Sequence, residues 1–236
     1  MRKYEKGSLK AKAWACDGKR VLFDILNMQA CANDARPSVV LIGDSITEMF
    51  EPCAWLPEYP AILNRGIGGD VIEGVSFRFD WDVVQLLPKV CVMMIGVNNI
   101  LELDNQAVEL LAKNGTYEDI FNDIPGITDD LLALFREMAE KCRDNGIRLI
   151  LCSVTPAPHD ERVGRDYRNF FIDLLNEGLL RITKEFGIDY CDFTCDLKDE
   201  NGKMRSGLSP DGLHPNTDGY RLMVARLKPI LDKNLA

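Results

Sequence analysis

A serine and two residues that together could activate it lie near opposite ends of this 236-residue chain. Ser45 lies in a Gly-Asp-Ser-Ile-Thr segment directly after the apolar run 38–42, and Asp211 and His214 are three residues apart. A serine hydroxyl is a weak nucleophile at neutral pH, so it needs a base and an acidic group that orients this base. Pro215 favours an extended backbone at His214, which would let Asp211 reach one ring nitrogen and leave the other for Ser45. The sequence therefore predicts nucleophilic catalysis by Ser45, with His214 as the base.

Two further motifs follow predicted strands. One is Gly-Ile-Gly-Gly-Asp at 66–70, and the other is Gly-Val-Asn-Asn at 96–99. The order Gly-Asp-Ser, Gly-Gly-Asp, Gly-x-Asn-Asn, Asp-x-x-His resembles the SGNH hydrolase family, also called GDSL esterases and lipases, over about residues 37–232. The second and fourth blocks resemble those of its platelet-activating-factor acetylhydrolase-like branch.

The resemblance implies catalytic roles for Ser45, Asp211 and His214, and an oxyanion hole. The donors of this hole would be the N–H groups of Ser45 and Gly69 and the side-chain amide of Asn98. Two alternatives stay open, because Gly69 could serve only a turn with positive φ and Asn98 could serve only an Asx turn.

Four residues are weaker candidates for contact with a substrate: Asp44, Trp55, Asn99 and His159. Asp44 could instead shape the turn, and Trp55 could belong to the core. Asn99 occupies a position where many relatives carry Asp. His159 follows a predicted strand and is the rival base, although a role in the pocket wall is the favoured interpretation.

The composition limits the classes of partner. Hydrophobic residues make up 46% of the chain and charged residues 28%, which is typical of a globular domain. The net charge of −9 argues against nucleic acid or an anionic membrane as a partner. A small-molecule ester is the expected partner, and a homo-oligomer is possible.

No apolar stretch is long enough for a transmembrane helix, and the basic N-terminal segment lacks the apolar core of a secretory signal. We therefore expect a cytoplasmic protein whose eight cysteines are reduced thiols. The chain has two histidines, no Cys-x-x-Cys and no His-Glu-x-x-His, so we expect neither a metal nor a cofactor.

Apolar runs alternate with segments of helical period, which predicts a doubly wound α/β fold with a parallel sheet. The family resemblance implies a three-layer α/β/α, flavodoxin-like fold with five parallel strands in the order 2-1-3-4-5. Ligands of such folds bind beyond the carboxyl ends of the strands, where Ser45, Gly69 and Asn98 should lie. Strands are predicted at 38–42, 61–64, 89–95, 148–154 and 188–193, and helices at 20–31, 129–144, 168–185 and 217–231.

Two segments are additions to the smallest fold of this kind. Residues 1–36 are predicted to form an N-terminal extension with one helix packed on the hydrolase domain 37–236, through the apolar residues Val21, Leu22, Ile25, Leu26 and Met28. Residues 100–128, with a break at Pro125-Gly126, are long for a connection between a strand and a helix. This segment could be a wall or lid, a subunit contact or a surface helix.

The expected function is a serine esterase that forms an acyl-enzyme and acts on short-chain, acetyl esters of a carbohydrate or lipid. Two alternatives stay open. One is a lysophospholipase or thioesterase for longer acyl chains, and the other is a binding module without catalytic activity.

Overall fold

Five parallel strands form one sheet in the computed structural model, which describes residues 17–158 and 166–236. The order along the sheet is β2-β1-β3-β4-β5, which confirms the predicted topology. Every residue of β1 and of β3 is buried, as expected for central strands covered on both faces. The strands are β1 (Val39–Gly43), β2 (Ile62–Gly66), β3 (Val90–Met94), β4 (Arg148–Cys152) and β5 (Asp189–Cys191).

Helices flank this sheet and connect its strands. α6 contacts both α4 and α7, whereas α9 contacts β3 and β5. Among the described residues, no helix is long and apolar enough to cross a membrane. The helices are α1 (Asp17–Ala32), α2 (Ser45–Glu48), α3 (Pro52–Trp55), α4 (Ile72–Asp82), α5 (Ile100–Ala112), α6 (Tyr117–Asp144), α7 (Tyr167–Phe186), α8 (Thr194–Leu197) and α9 (Thr217–Leu235), with 3₁₀ turns at Val84–Leu86 and Val97–Asn99.

The strand register places the functional motifs at one edge of the sheet. Gly43 at the end of β1 pairs with Gly66 of β2 on one side and with Met94 of β3 on the other. The turns that follow these three residues therefore leave the sheet at the same level, which brings the first three sequence motifs together.

The segment 100–128 consists of α5 and the first part of α6. The predicted break at Pro125 is wrong, because α6 runs through this residue from a capping box formed by Thr116 and Asp119. Proline removes one backbone hydrogen bond from a helix interior, but Ile124 before the expected break and Leu131 after it are buried and hold the helix to the core. The lid and the subunit contact stay predictions.

The N-terminal helix α1 covers the predicted helix at 20–31, but the prediction of its packing face is wrong. The five apolar residues expected to face the domain are 39–63% exposed: Val21, Leu22, Ile25, Leu26 and Met28. The division of the chain at residue 36 stays a prediction.

The face of α1 that packs on the domain is largely polar. Asn27 is fully buried and donates its amide to Asp82 Oδ1 at 2.7 Å. Its side-chain oxygen accepts from Arg65 Nε at 3.0 Å, and the Arg65 guanidinium lies 4.8 Å from the centre of the Phe23 ring. Specific hydrogen bonds, rather than the apolar stripe, therefore select the inward face of this helix.

Candidate active site

The turn after β1 presents Ser45 at the first position of α2. Asp44 is the N-cap of this helix, and its Oδ1 accepts the N–H of Ile46 at 3.0 Å. Gly43 is required just before this turn, because an added Cβ would lie 2.1 Å from the Met94 carbonyl oxygen. The close approach of β1 and β3 at this point thus fixes where the serine leaves the sheet.

Ser45, His214 and Asp211 form a continuous hydrogen-bonded chain. Ser45 Oγ lies 2.9 Å from His214 Nε2, and His214 Nδ1 lies 2.6 Å from Asp211 Oδ2. Hydrogen bonds from the His214 ring, the His214 N–H and the Leu213 N–H hold the pKa of Asp211 well below its usual range. Asp211 is therefore ionised at neutral pH and can fix the imidazole orientation.

The loop that carries His214 is anchored to the start of α9. Asn216 caps α9, because its side-chain oxygen accepts the N–H groups of Asp218 and Gly219. The amide of Asn216 also donates to the Gly207 carbonyl at 2.7 Å. One side chain therefore joins both ends of the loop to the helix.

The expected oxyanion donors lie in the turns after β2 and β3. Gly69 has φ +77°, and among residues 17–158 and 166–236, apart from its two chain neighbours, no atom lies within 4 Å of the position its Cβ would take. Asn98 Nδ2 donates one hydrogen to the Asp70 carbonyl at 3.0 Å, which leaves its second N–H available. Within residues 17–158 and 166–236, the backbone N–H groups of Ser45 and Gly69 have no acceptor. The oxyanion role of these groups stays a prediction.

A buried ionic network beneath this turn is a feature that the sequence analysis missed. Arg78 Nε donates to Asp70 Oδ2 at 2.8 Å, and Arg78 Nη1 donates to Asp82 Oδ2 at 2.7 Å. Arg78 also donates to the carbonyl oxygens of Arg65 and Gly43, at 2.8 and 3.0 Å. This one guanidinium therefore joins the carboxyl ends of β1 and β2. The sequence signal for this network was Asp70, the last residue of the Gly-Gly-Asp motif.

Two of the predicted substrate contacts, Asp44 and Asn99, are buried side chains with partners in the turns. Asp44 is 1% exposed, and desolvation, with a smaller contribution from Asp70, raises its pKa to about 7 against the opposing effects of the Ile46 N–H and His214. Asn99 is buried, and its side chain accepts from the Ile72 N–H at 3.1 Å. Both side chains hold the turns, and their contact with a substrate stays a prediction.

The other two substrate contacts stay predictions. Trp55 is half-buried, and its ring centre lies 6.3 Å from that of Tyr220 on α9. His159 lies outside the described residues, so its role in the pocket wall or as a rival base stays a prediction. Among residues 17–158 and 166–236, no group of three His, Cys, Asp or Glu side chains is placed to hold a metal ion.

A parallel α/β sheet with a Ser-His-Asp arrangement at its carboxyl edge defines a class of hydrolase-like sites. The sequence model of the GDSL-like lipase/acylhydrolase family matches residues 41–222. The chain belongs to this family.

Individual relatives agree with this assignment. The α1 subunit of platelet-activating factor acetylhydrolase IB from Rattus norvegicus is 35% identical over 74 residues, which span 30% of this chain and 32% of the relative. A crystal structure of a GDSL-like lipase from Bacteroides thetaiotaomicron has 26% identity and a TM-score of 0.65, over 89% of this chain and 98% of that one.

A catalytic mutant of an acetylxylan esterase from Geobacillus stearothermophilus has a TM-score of 0.61 with 17% identity. The match covers 82% of this chain and 93% of the esterase chain. At this identity the similarity is one of fold.

Proposed function

We propose that this protein is a serine esterase that hydrolyses carboxylic esters through an acyl-enzyme. The observation that supports it best is the unbroken chain of hydrogen bonds from Ser45 through His214 to Asp211. In the first step His214 Nε2 accepts the proton of the Ser45 hydroxyl while its oxygen bonds to the ester carbonyl carbon. Asp211 stabilises the imidazolium that results.

The tetrahedral intermediate carries a negative oxygen, which the N–H groups of Ser45 and Gly69 and the amide of Asn98 would stabilise. Each such donor contributes about 10²- to 10³-fold to turnover in comparable enzymes. His214 then gives its proton to the leaving alcohol as the C–O bond breaks. Water repeats the two steps on the acyl-enzyme, which releases the acid and restores Ser45.

The proposed substrates are short-chain esters, acetyl esters in particular, of a carbohydrate or lipid alcohol. In support, the curated relative is named an acetylhydrolase, and one structural neighbour is an acetylxylan esterase. The alternative is a lysophospholipase or thioesterase for longer chains.

A fluorophosphonate probe tests the nucleophile. The wild-type protein should be labelled and should hydrolyse nitrophenyl acetate, whereas Ser45→Ala should do neither while keeping its fold. Labelling of Ser45→Ala would place the nucleophile elsewhere, and an unlabelled wild-type protein would favour a binding module. His214→Ala should be inactive and His159→Ala active, and the reverse would move the base to the loop after β4.

A series of nitrophenyl esters from acetate to dodecanoate tests the acyl group, run beside acetylated xylo-oligosaccharides. An open apolar channel would gain about 0.8 kcal/mol, or roughly fourfold in kcat/KM, for each methylene that it accommodates. We expect a fall after the shortest acyl groups. A steady rise would establish the long-chain alternative.

A further inference from the structure

The segment between β2 and α4 that carries Gly69, here called the oxyanion loop (residues 66–70), lies directly on the helix that carries Ser45. A Cβ on Gly66 would lie 2.2 Å from the backbone nitrogen of Glu48, at the end of α2. A Cβ on Gly68 would lie 3.2 Å from Glu48 Oε2 and 3.7 Å from Ser45 Cβ. Glycine at both positions therefore allows the loop to touch the nucleophile helix.

Glu48 supplies the polar part of this contact. One oxygen of its carboxylate accepts the N–H of Gly68, and the other pairs with Lys19 of α1. Partial burial acts to raise the pKa of Glu48, but the bonds from Lys19 and Gly68 outweigh it, so the pKa lies below its ordinary value. The side chain is therefore an ionised acceptor at neutral pH, with both oxygens engaged.

The peptide next to this bond carries the expected oxyanion donor, the Gly69 N–H. Gly69 has a positive φ, and in the part of the chain that the structure describes no residue beyond its neighbours packs against its Cα. Glycine has more backbone freedom than any other residue, so the direction of its N–H depends on how its neighbours are fixed. On one side the Asp70 N–H bonds to the Ile67 carbonyl within the loop at 3.1 Å, and on the other side the Gly68 N–H bonds to Glu48. Of these two bonds, only the second ties the loop to α2.

We propose that Glu48 is a positioning residue that orients the oxyanion loop relative to Ser45, and that Lys19 of α1 steadies its carboxylate. This inference rests on the proposed esterase function. Glu48 touches no reacting atom. It acts by holding the Gly69 N–H where the negative oxygen develops, so its removal should affect the transition state more than the bound substrate.

Two substitutions of Glu48 by residues of similar size test whether its hydrogen bond to Gly68, rather than its volume or its charge, is responsible for the effect. Glu48→Met removes the acceptor, whereas Glu48→Gln keeps an oxygen for the Gly68 N–H. Lys19 is 42% exposed and can turn towards solvent away from the new amide. We expect Glu48→Met to lower kcat on nitrophenyl acetate by about 10- to 100-fold, with KM and the unfolding temperature nearly unchanged. Glu48→Gln should keep activity within about threefold of wild type.

The matched control is Glu58→Met, which removes another half-exposed partner of a lysine, Lys228, in the connection between α3 and β2. It should leave kcat unchanged. The reaction rate of Ser45 with the fluorophosphonate should fall in Glu48→Met as kcat does, because the phosphonyl oxygen enters the same hole. Glu48→Ala removes the same acceptor and serves as a second variant.

The failures of the two proposals are distinguishable. A wild-type protein that neither hydrolyses esters nor reacts at Ser45 would overturn the esterase function and this inference with it. An active wild-type protein whose Glu48→Met variant keeps full kcat would overturn the inference alone. Equal losses in Glu48→Met and Glu48→Gln would also overturn it, because charge rather than the hydrogen bond would then be responsible.

Discussion

The buried carboxyl group beside the nucleophile should make the stability of the protein fall as the pH rises. Asp44 is 1% exposed, and its burial raises its pKa from 3.8 to about 7. Below about pH 3 the group is largely neutral in both the folded and the unfolded chain. Between the two pKa values the folded chain holds a proton that the unfolded chain has lost, so the free energy of unfolding decreases with pH.

The size of this effect follows from the shift. Each unit of pKa corresponds to about 1.4 kcal/mol, so the rise from 3.8 to about 7 amounts to about 4 kcal/mol once both states are ionised. Roughly 3 kcal/mol of this is lost between about pH 4.5 and about pH 8.5. Asp44→Asn retains an oxygen for the Ile46 N–H but cannot ionise, so the variant should not show this loss.

The assay is urea unfolding of both proteins at these two pH values. All other titrating groups are shared, so the difference between the proteins largely isolates Asp44. At the lower pH the free energies of unfolding of the variant and the wild type should agree to within about 1 kcal/mol. At the higher pH the difference should have moved by about 3 kcal/mol in favour of the variant. A difference that is the same at both pH values would refute the reasoning and show that Asp44 is ionised throughout this range.

Three further substitutions test the architecture of the site. Asn98→Ala should lower kcat by about 10²- to 10³-fold in nitrophenyl acetate kinetics, and full activity would remove this amide from the oxyanion hole. Arg78→Met should lower the free energy of unfolding by about 3–5 kcal/mol in urea, because the buried carboxylates of Asp70 and Asp82 lose this cation. A loss below about 1 kcal/mol would show that this ionic network contributes little to the stability of the fold. Gly66→Ala should cost about 1–3 kcal/mol in the same assay, because its Cβ would lie 2.2 Å from the backbone of α2, and unchanged stability would show that the loop can move away.

The strands were predictable because a parallel sheet covered on both faces leaves a strong apolar signal. β1 and β3 are continuous buried runs, and the predicted bounds differ from the observed ones by one residue at each end. The helices were less predictable where local and tertiary preferences conflict. Pro125-Gly126 is a typical helix end, yet buried residues on both sides keep α6 continuous, and the capping box at Thr116 was the overlooked signal of its true start.

The site residues were identifiable from motif order, but their supports were not. The spacing of Asp211 and His214 predicted the pairing that the structure shows. Nothing local to Asn27 indicates its buried partners, because its hydrogen bonds reach residues 38 to 55 positions away. The same reason explains the error at α1. A hydrophobic stripe predicts the inward face of a helix only when no buried polar side chain determines the packing instead.

The hydrogen bond between Ser45 and His214 joins residues 169 positions apart, and this separation has a consequence for the order of assembly. The nucleophile turn, the oxyanion loop and Asn98 all come from residues 43–98, on three adjacent strands. A ribosome-bound chain that has released only this part has every expected oxyanion donor but no base. The imidazole joins only when the loop before α9 has emerged and Asn216 has capped this helix. Onset of esterase activity during synthesis would therefore report the docking of the last helix, not the formation of the sheet.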